Sequence, residues 1–425
     1  MKVSAYTVDL GLDEERSMLY NTVSREYYVY QKKQARELWN FMANMNHGIR
    51  CLENFDLFAQ LQKKRIIVQE DADELCELRY LENRRRYAND SFYLKIIVTN
   101  GCNFKCTYCE ETSVTMPIRD NTIDKLLKLL EEVTTKVRHL YIEWCGGEPL
   151  LEYERICRIM TQVSEICDKN SCELQAKLYT NGYLIDEKKI KRLQSVRIEE
   201  LHVTIDGDEK EHNLHRKDVC AQGTYKCVIA NLQSVVRAGM KLTLQIHVDE
   251  NRESESFEVL EVISRKYREQ VSVRFFSAPW NEKCTSVYRY VVKAMDLGYQ
   301  CHERYNAYVQ CRACCNNSLI VDMNGSILLC SKAKSGEQCI GYLDESGQIR
   351  IEKEHNLYKM RNITALDNET CQGCQELPLC MGDCGKVRSN DNTGCVRRAK
   401  KGLTLEEVAW LDYYSDQREK EQEEI

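Results

Sequence analysis

Six short runs rich in β-branched and aromatic residues alternate with amphipathic helical runs through the middle of this 425-residue chain, and that order leaves few folds open. Strand-like runs fall at residues 93–98, 140–144, 174–179, 200–205, 242–248 and 271–276, with helical runs at 122–137, 187–193, 225–236 and 257–267. Serial β/α units of this kind place strands in parallel with helices crossing over them. Six units are too few for a closed eight-stranded barrel, so the expectation is an α/β fold built on an open, partial (β/α)6 barrel. In such architectures the strand carboxyl ends converge on one mouth, where working residues gather.

The flanks read differently. Residues 17–22 and 26–30 form a hairpin around 23–25, followed by helices at 34–45 and 55–62 and a strand at 66–68, an order that suits a winged-helix-like module. Near the end, Thr404 with Glu407 three positions on is a capping-box pattern, continued by Val408, Leu411 and Tyr414 before a charged tail expected to fray. The expected division is therefore 1–88, 89–300 for the barrel, 301–400 for a cysteine-rich module, and 401–425 for a helix and tail. Only four prolines and 19 glycines leave little room for long linkers, so the parts should pack directly on one another.

Twenty-three cysteines are the compositional anomaly. An oxidised secreted scaffold this rich in cysteine is normally short, and no signal peptide opens the sequence, so reduced thiols and metal in the cytoplasm are expected. No apolar run approaches the roughly 20 residues of a membrane span. A formal charge of −6 creates no field for nucleic acid, and the short basic runs at 63–65 and 84–86 read as solvated faces.

Two motifs fall on loops at the barrel mouth. Cys102, Cys106 and Cys109 follow the first strand; Gly146-Gly147-Glu148-Pro149-Leu150 follows the second. Three thiolates can hold a four-iron cluster while leaving one iron open. With Tyr108 before the third cysteine, residues 93–278 resemble the radical S-adenosylmethionine (SAM) superfamily. The resemblance implies that SAM chelates the open iron and is cleaved to a 5'-deoxyadenosyl radical, with backbone at Gly146 and Gly147 approaching its methionine end. It also implies SAM contacts from Tyr108, Glu148, Thr180 and Asn181 after the third strand, and Thr204 and Asp206 after the fourth. His212 and Arg216 complete a pattern of peptide- and protein-modifying members, with Arg216 suited to the SAM carboxylate because a guanidinium grips two oxygens. Asn251 ends the fifth strand. Loop capping is the plain alternative for Asp206 and His212, and Cys145, Cys157, Cys167, Cys172, Cys220 and Cys227 are given no role.

A second cysteine set lies downstream. Cys315, Gly325 and Cys330 precede Cys371, Cys374, Cys380 and Cys384, with Cys395 beyond. Asn324-Gly325 reads as a tight hairpin that draws Cys315 toward Cys330. The set resembles the SPASM extension of radical SAM enzymes, which implies two auxiliary four-iron clusters: Cys315, Cys330 and Cys384 on the first, and Cys371, Cys374, Cys380 and Cys395 on the second. Cys311 and Cys314 compete as a fourth ligand to the first, with Cys311 favoured, or the position stays open to a substrate thiolate. Structural zinc is the competing reading of the Cys-x2-Cys pairs.

The resemblance extends to maturases of ribosomally made peptides, whose N-terminal element captures a leader segment as an added strand. The leading expectation is a peptide maturase forming thioether crosslinks from cysteine sulfur to carbon in a precursor peptide, served by an external electron donor such as flavodoxin or ferredoxin. Carbon–carbon or carbon–oxygen crosslinking, epimerisation and sulfatase maturation are alternatives; against the last, Ser331 follows Cys330 where those members carry an acidic residue. A non-catalytic iron–sulfur electron carrier is the alternative from another class. No catalytic acid or base is assigned.

Overall fold

The computed structural model describes residues 1–44, 55–109, 115–249, 257–279, 286–301, 311–330, 339–382, 384, 388, 395 and 403–423. Asn251 and Ser331 lie outside them. The chain forms two compact units: Met1–Arg86, Arg304–Cys311 and Ile363–Ile425 make one, and Tyr87–Glu303 with Arg312–Asn362 the other. The cysteine-rich stretch expected as a single module at 301–400 is thus shared out between them.

In the first unit, β1 (Lys2–Val3) pairs with β5 (Ile67–Val68), while β2 (Thr7–Gly11), β3 (Arg16–Asn21) and β4 (Glu26–Gln31) form an antiparallel meander. The anticipated β3–β4 hairpin is closed by Asn21, whose Oδ1 accepts the Val23 and Ser24 amides at 3.1 and 3.0 Å, with Arg25 at φ 59°. Helices α1 (Ala35–Ala43), α2 (Phe55–Lys63) and α3 (Glu74–Arg86) follow. Leu19, Tyr30, Phe41, Leu61, Ile66 and Ile67 share one core. Strand β2 and helix α3 were not expected from the sequence. The buried positions of α3 are Glu74, Leu78, Glu82 and Arg86, a stripe at helical spacing made mostly of charges, which a search for apolar periodicity passes over. Those charges are partnered: Arg86 bonds Glu82 at 2.7 Å, and Thr364 Oγ1 donates to Glu82 at 2.7 Å.

A second core joins Tyr6, Val23 and Leu78 to Ala365, Leu366, Leu377 and Met381, with Cys371 and Cys374 packed against it. Thr22 Oγ1 donates to the Gln375 carbonyl at 2.7 Å, and Gln375 Nε2 donates to the Thr7 carbonyl at 3.1 Å. The C-terminal helix, Leu405–Glu423, begins at the expected capping box: the Thr404 amide donates to Glu407 Oε2 at 2.7 Å, and the Glu407 amide to Thr404 Oγ1 at 3.2 Å. It runs through the charged tail expected to fray, because its face is anchored to the meander. Asp412 accepts from Tyr20 Oη at 2.6 Å and from Arg25, Asp416 accepts from Tyr27 Oη at 2.8 Å, and Tyr413 meets the Tyr27 ring edge-on. Thr404→Ala is expected to cost about 1 kcal/mol, read as a lower denaturation midpoint with faster amide exchange in the first turn of this helix.

In the second unit, β6 (Ser91–Thr99) is followed by β7 (Phe104–Cys106), α4 (Asp120–Val133), β8 (His139–Gly146), α5 (Tyr153–Asn170), β9 (Glu173–Thr180) and α6 (Glu187–Ser195). Then come β10 (Ile198–Asp206), α7 (Glu209–His215), β11 (Arg216–Asp218), α8 (Tyr225–Arg237), β12 (Lys241–Val248), β13 (Val271–Ser277), α9 (Tyr288–Asp296) and β14 (Gln300–Cys301). Strands β6, β8, β9, β10, β12 and β13 stand side by side in parallel, the six-stranded open barrel read from the sequence, and two-residue β14 adds a short seventh. On the other side of β6, β15 (Ser318–Val321) joins in parallel and leads into an antiparallel run of β16 (Ser326–Leu328), β17 (Cys339–Leu343) and β18 (Ile349–Ile351), before α10 (Glu354–Asn362). The cysteine-bearing hairpin therefore extends the barrel sheet.

The helix expected at 257–267 is instead broken into 3-10 segments at Val259–Glu261 and Arg265–Gln270. Arg268 accounts for the break: its guanidinium takes the Ile263 and Leu297 carbonyls, drawing Ile263 away from a helical ladder. Among the described residues no helix is long and apolar enough to cross a membrane.

Candidate active site

Cys102, Cys106 and Cys109 lie on the loop after β6, at the carboxyl end of the barrel strands. The loop is fixed by a two-stranded ribbon in which β7 pairs with β11, so Arg216 stands directly opposite Cys106. Cys102 Sγ accepts the Phe104 amide at 3.4 Å, and the Cys109 amide turns back to the Cys106 carbonyl at 3.1 Å. Burial pushes the Cys102 thiol up and takes Cys106 to about 11, with Arg216 pulling the latter back. Among the described residues no three Cys, His, Asp or Glu side chains gather closely enough to hold one metal ion. A cubane takes a single thiolate per iron, and an all-sulfur donor set on one loop fits that group.

The glycine motif meets this loop backbone to backbone. The Gly147 amide donates to the Thr99 carbonyl at 3.0 Å and the Glu148 amide to the Gly101 carbonyl at 2.8 Å. A Cβ on Gly146, whose φ is +147°, would stand 2.1 Å from the Thr99 oxygen. These glycines thus admit the cysteine loop itself. Glu148 is fully buried, and its carboxylate accepts the Leu150 amide at 2.9 Å, Thr180 Oγ1 at 2.8 Å and the Asn181 amide at 2.7 Å. It is a strut holding the second-strand loop to the third-strand loop; burial raises its pKa, and the accepted hydrogen bonds work against that. Asn181 Nδ2 continues to Asn103 Oδ1 at 2.8 Å, within the cysteine loop.

Beyond the strut runs a second chain of contacts. Arg216 Nη1 donates to Tyr108 Oη at 2.8 Å, Tyr108 Oη donates to Asp206 Oδ2 at 2.8 Å, and His247 Nδ1 lies 2.7 Å from Asp206 Oδ1. Burial opposes ionisation of Asp206, yet His247 and Arg216 bring its pKa below the usual carboxylate value. His247 escaped the sequence reading. Its signal was available in strand register, since β10 and β12 pair Asp206 with His247. His212 is a buried cap: its Nδ1 faces the Asp206 amide at 3.4 Å, Nε2 lies 3.1 Å from Thr224 Oγ1, and burial with Arg216 nearby drives its pKa to about 3. Thr204 Oγ1 reaches Gln245 Oε1 at 3.4 Å. Asn103 Nδ2 and Arg216 Nε are buried without partners. Orphaned donors beside the cysteine loop suit a ligand that brings a carboxylate, as SAM does.

Lower in the barrel, Glu143 lies 2.9 Å from Lys177 Nζ and 3.8 Å from Lys95 Nζ. Glu200 accepts Thr243 Oγ1 at 2.7 Å and has His202 Nε2 at 2.8 Å, out of line for a formal hydrogen bond. Burial works against the Glu200 charge, but His202, Thr243 and Lys177 hold its pKa down to about 2, and burial keeps that of His202 below its usual value. Both groups bind protons more readily in the unfolded chain, where they titrate near ~4.3 and ~6.5. Their contribution is therefore present at neutral pH and lost as pH falls, first through the histidine range and then toward 2. Melting temperature followed from pH 7 to 3 should drop more steeply in the wild type than in the double variant Glu200→Gln, His202→Gln, which removes both titrating groups.

Cys315 precedes β15 and Cys330 follows β16, so the two occupy the open end of one hairpin, as its turn sequence implied. That hairpin is closed by the Asp322 amide on the Ser326 carbonyl at 3.0 Å, with Gly325 at φ 85°. Cys314 and Cys315 are buried, while Cys311 and Cys330 are half-buried. In the first unit, to which Cys311 also belongs, the Cys371 amide is capped by Asn368 Oδ1, and the Cys374 amide turns back to the Cys371 carbonyl at 3.0 Å. Cys380 ends a single helical turn at Leu377–Cys380; Cys384 is half-buried and Cys395 exposed. Arg388 Nη1 and Nη2 both stand 3.9 Å from Cys371 Sγ.

Residues 96–260 match the model of the Radical SAM superfamily. Over 335 residues, 69% of this chain and 88% of the relative, the chain is 21% identical to a cysteine-type anaerobic sulfatase-maturating enzyme of Clostridium perfringens. Over 194 residues it is 24% identical to a GTP 3',8-cyclase of the same species, and there the chain spans only 56% of the relative's length. Among solved structures, anSMEcpe with bound AdoMet aligns with TM-score 0.56 over 76% of this chain and 96% of that one, at 19% identity. SuiB of Streptococcus suis bound to S-adenosylmethionine aligns with TM-score 0.52 over 92% of this chain and 97% of that one, at 15% identity. A further SuiB structure contains the precursor peptide SuiA. Identities this low establish a shared fold.

Proposed function

We propose that this chain, which carries a radical SAM domain over residues 96–260, is an enzyme that matures a ribosomally made peptide by forming thioether bonds between cysteine sulfur and carbon. The observation carrying this reading is the extent of the SuiB likeness, which covers 92% of the chain and so continues beyond the barrel. Bound together, SAM and its reduced cluster supply hydrogen-atom abstraction. Cys102, Cys106 and Cys109 would hold that cluster; Arg216 and Asn103 offer the donors for the SAM carboxylate; Glu148 keeps the surrounding loops in register. The downstream cysteines, with Cys371, Cys374, Cys380 and Cys395 in one unit, would hold auxiliary clusters that take up the second electron. The three-stranded meander has two edges to which an extended leader can add as a strand. A reducing compartment suits this cysteine complement, and a flavodoxin or ferredoxin would supply the priming electron.

Co-expression with a short cysteine-containing reading frame beside the gene, followed by mass spectrometry, tests the assignment. The expected product is lighter by about two hydrogens per crosslink, the signature of a two-electron oxidation. An unmodified mass with SAM consumed would point to epimerisation instead. Sulfatase maturation is the second reading, favoured by the match that covers 88% of that relative, and a sulfatase-derived cysteine peptide serves as its control. Replacing all three of Cys102, Cys106 and Cys109 with alanine is expected to abolish 5'-deoxyadenosine formation and lower bound iron; a wild type that purifies colourless and zinc-loaded would overturn the reading.

A further inference from the structure

The inner face of this barrel is polar. Strand alternation turns Leu94 and Ile96, Leu201 and Val203, and Val273 and Phe275 outward, where all are buried, and leaves charged and hydrogen-bonding residues on the opposite face. A closed barrel fills its interior with branched apolar side chains. This open one keeps Lys95, Glu143, Lys177, Glu200, His202 and Arg274 there instead.

Nearly all of that charge is accounted for within the protein. Glu143 serves Lys95 and Lys177, and Lys95 also sits over the Tyr179 ring at 5.1 Å. Glu200 is matched by Thr243 and His202, and His202 packs on Tyr179 with ring centroids 4.5 Å apart. Arg274 is the exception. No acceptor or anion is paired with it among the described residues, and its Nε is buried without a partner. Its charge nevertheless reaches His202, whose pKa it helps to lower. Strand register fixes its level: Arg274 stands beside Gln245, which stands beside Thr204, one inward position below the His247 and Phe276 pair that leads to the mouth. A partly sequestered guanidinium with no counter-charge is costly, and its planar fork matches a carboxylate through two parallel hydrogen bonds.

We propose that Arg274 is a substrate-binding residue that receives a carboxylate of the peptide undergoing modification, holding an acidic residue on the polar inner wall beneath the barrel mouth. This rests on the reading of the barrel as a peptide-modifying site. The carboxylate belongs either to an aspartate or glutamate side chain or to a chain terminus. Gln245 and Thr204, next along the same row, are placed to hydrogen-bond the adjoining peptide groups.

The test uses the reconstituted holoenzyme with SAM bound, under anaerobic conditions, and measures binding by calorimetry. Three probes are compared: N-acetyl-aspartate α-amide, N-acetyl-asparagine α-amide, and N-acetyl-alanine, which carries only a terminal carboxylate. The wild type is expected to bind the aspartate probe at least tenfold more tightly than the asparagine probe. Arg274→Gln should erase that preference, and Arg274→Lys, which keeps charge without the fork, should retain part of it. Stronger binding of N-acetyl-alanine than of the aspartate probe would assign the site to a chain terminus and overturn the side-chain form. Equal binding of the acid and amide probes by wild type, or an unchanged preference in Arg274→Gln, would overturn the proposal. Iron content and SAM affinity report whether Arg274→Gln is intact; if it is not, a preference in Arg274→Lys equal to the wild type's overturns the proposal by itself. Absence of 5'-deoxyadenosine from the reduced wild type would sink the functional reading separately, because carboxylate preference is measured without turnover.

Discussion

Glu148→Ala is expected to lower stability by about 3–5 kcal/mol in chemical denaturation, because it strands three buried donors at once. The carboxylate is inaccessible and accepts the Leu150 and Asn181 amides and the Thr180 hydroxyl. None of these can turn to water when the acceptor disappears. Glu148→Gln should recover part of the loss, since one amide oxygen still accepts while its NH2 confronts a neighbouring donor. A loss under about 1 kcal/mol for the alanine variant would show that the second- and third-strand loops are held by something else. SAM affinity should fall in parallel, as both loops border the cysteine loop.

Gly147→Ala should also be damaging, for a purely steric reason. The new Cβ would lie 2.3 Å from the Gly101 oxygen, 2.7 Å from its carbonyl carbon and 2.9 Å from the Asn100 oxygen, all main-chain atoms that no rotamer change can move. Relieving the overlap means displacing the loop that carries Cys102, at an expected cost of about 1–3 kcal/mol with at least a tenfold drop in SAM affinity. Gly11→Ala is the matched control. Nothing lies within 4 Å of its Cβ position, so its stability should stay within about 0.5 kcal/mol of wild type. Equal melting temperatures for the two variants would refute the steric account.

The barrel was legible in the sequence because each strand presents a short apolar run to the helices covering it, a signal carried by few residues at close range. The Cys102, Cys106 and Cys109 triplet, the glycine motif and the Thr404–Glu407 cap stood out for the same reason: each is a pattern of local spacing. Other features depend on neighbours distant in sequence. Helix α3 buries Glu82 and Arg86 against each other and against Thr364, so its inward face carries no apolar stripe. Glu148 sits inside a motif recognised for another reason, and only the positions of Thr180 and Asn181 expose it as a strut. His247 and Arg274 are single polar letters within strand runs. Their meaning comes from register with Asp206 and Gln245, which pattern along one strand does not contain.

The join between the first and last parts of the chain bears on how the protein is made. Tyr6, Val23 and Leu78 leave the ribosome before the barrel does, yet they complete their packing only against residues 365–381, and Tyr20, Arg25 and Tyr27 wait for Asp412 and Asp416. A nascent chain interrupted after the barrel would display an aromatic sheet surface with nothing to cover it, a natural substrate for chaperones. The meander thus reaches its finished form only once the helix Leu405–Glu423 has been made, so the element proposed to capture a leader is synthesised well before it matures.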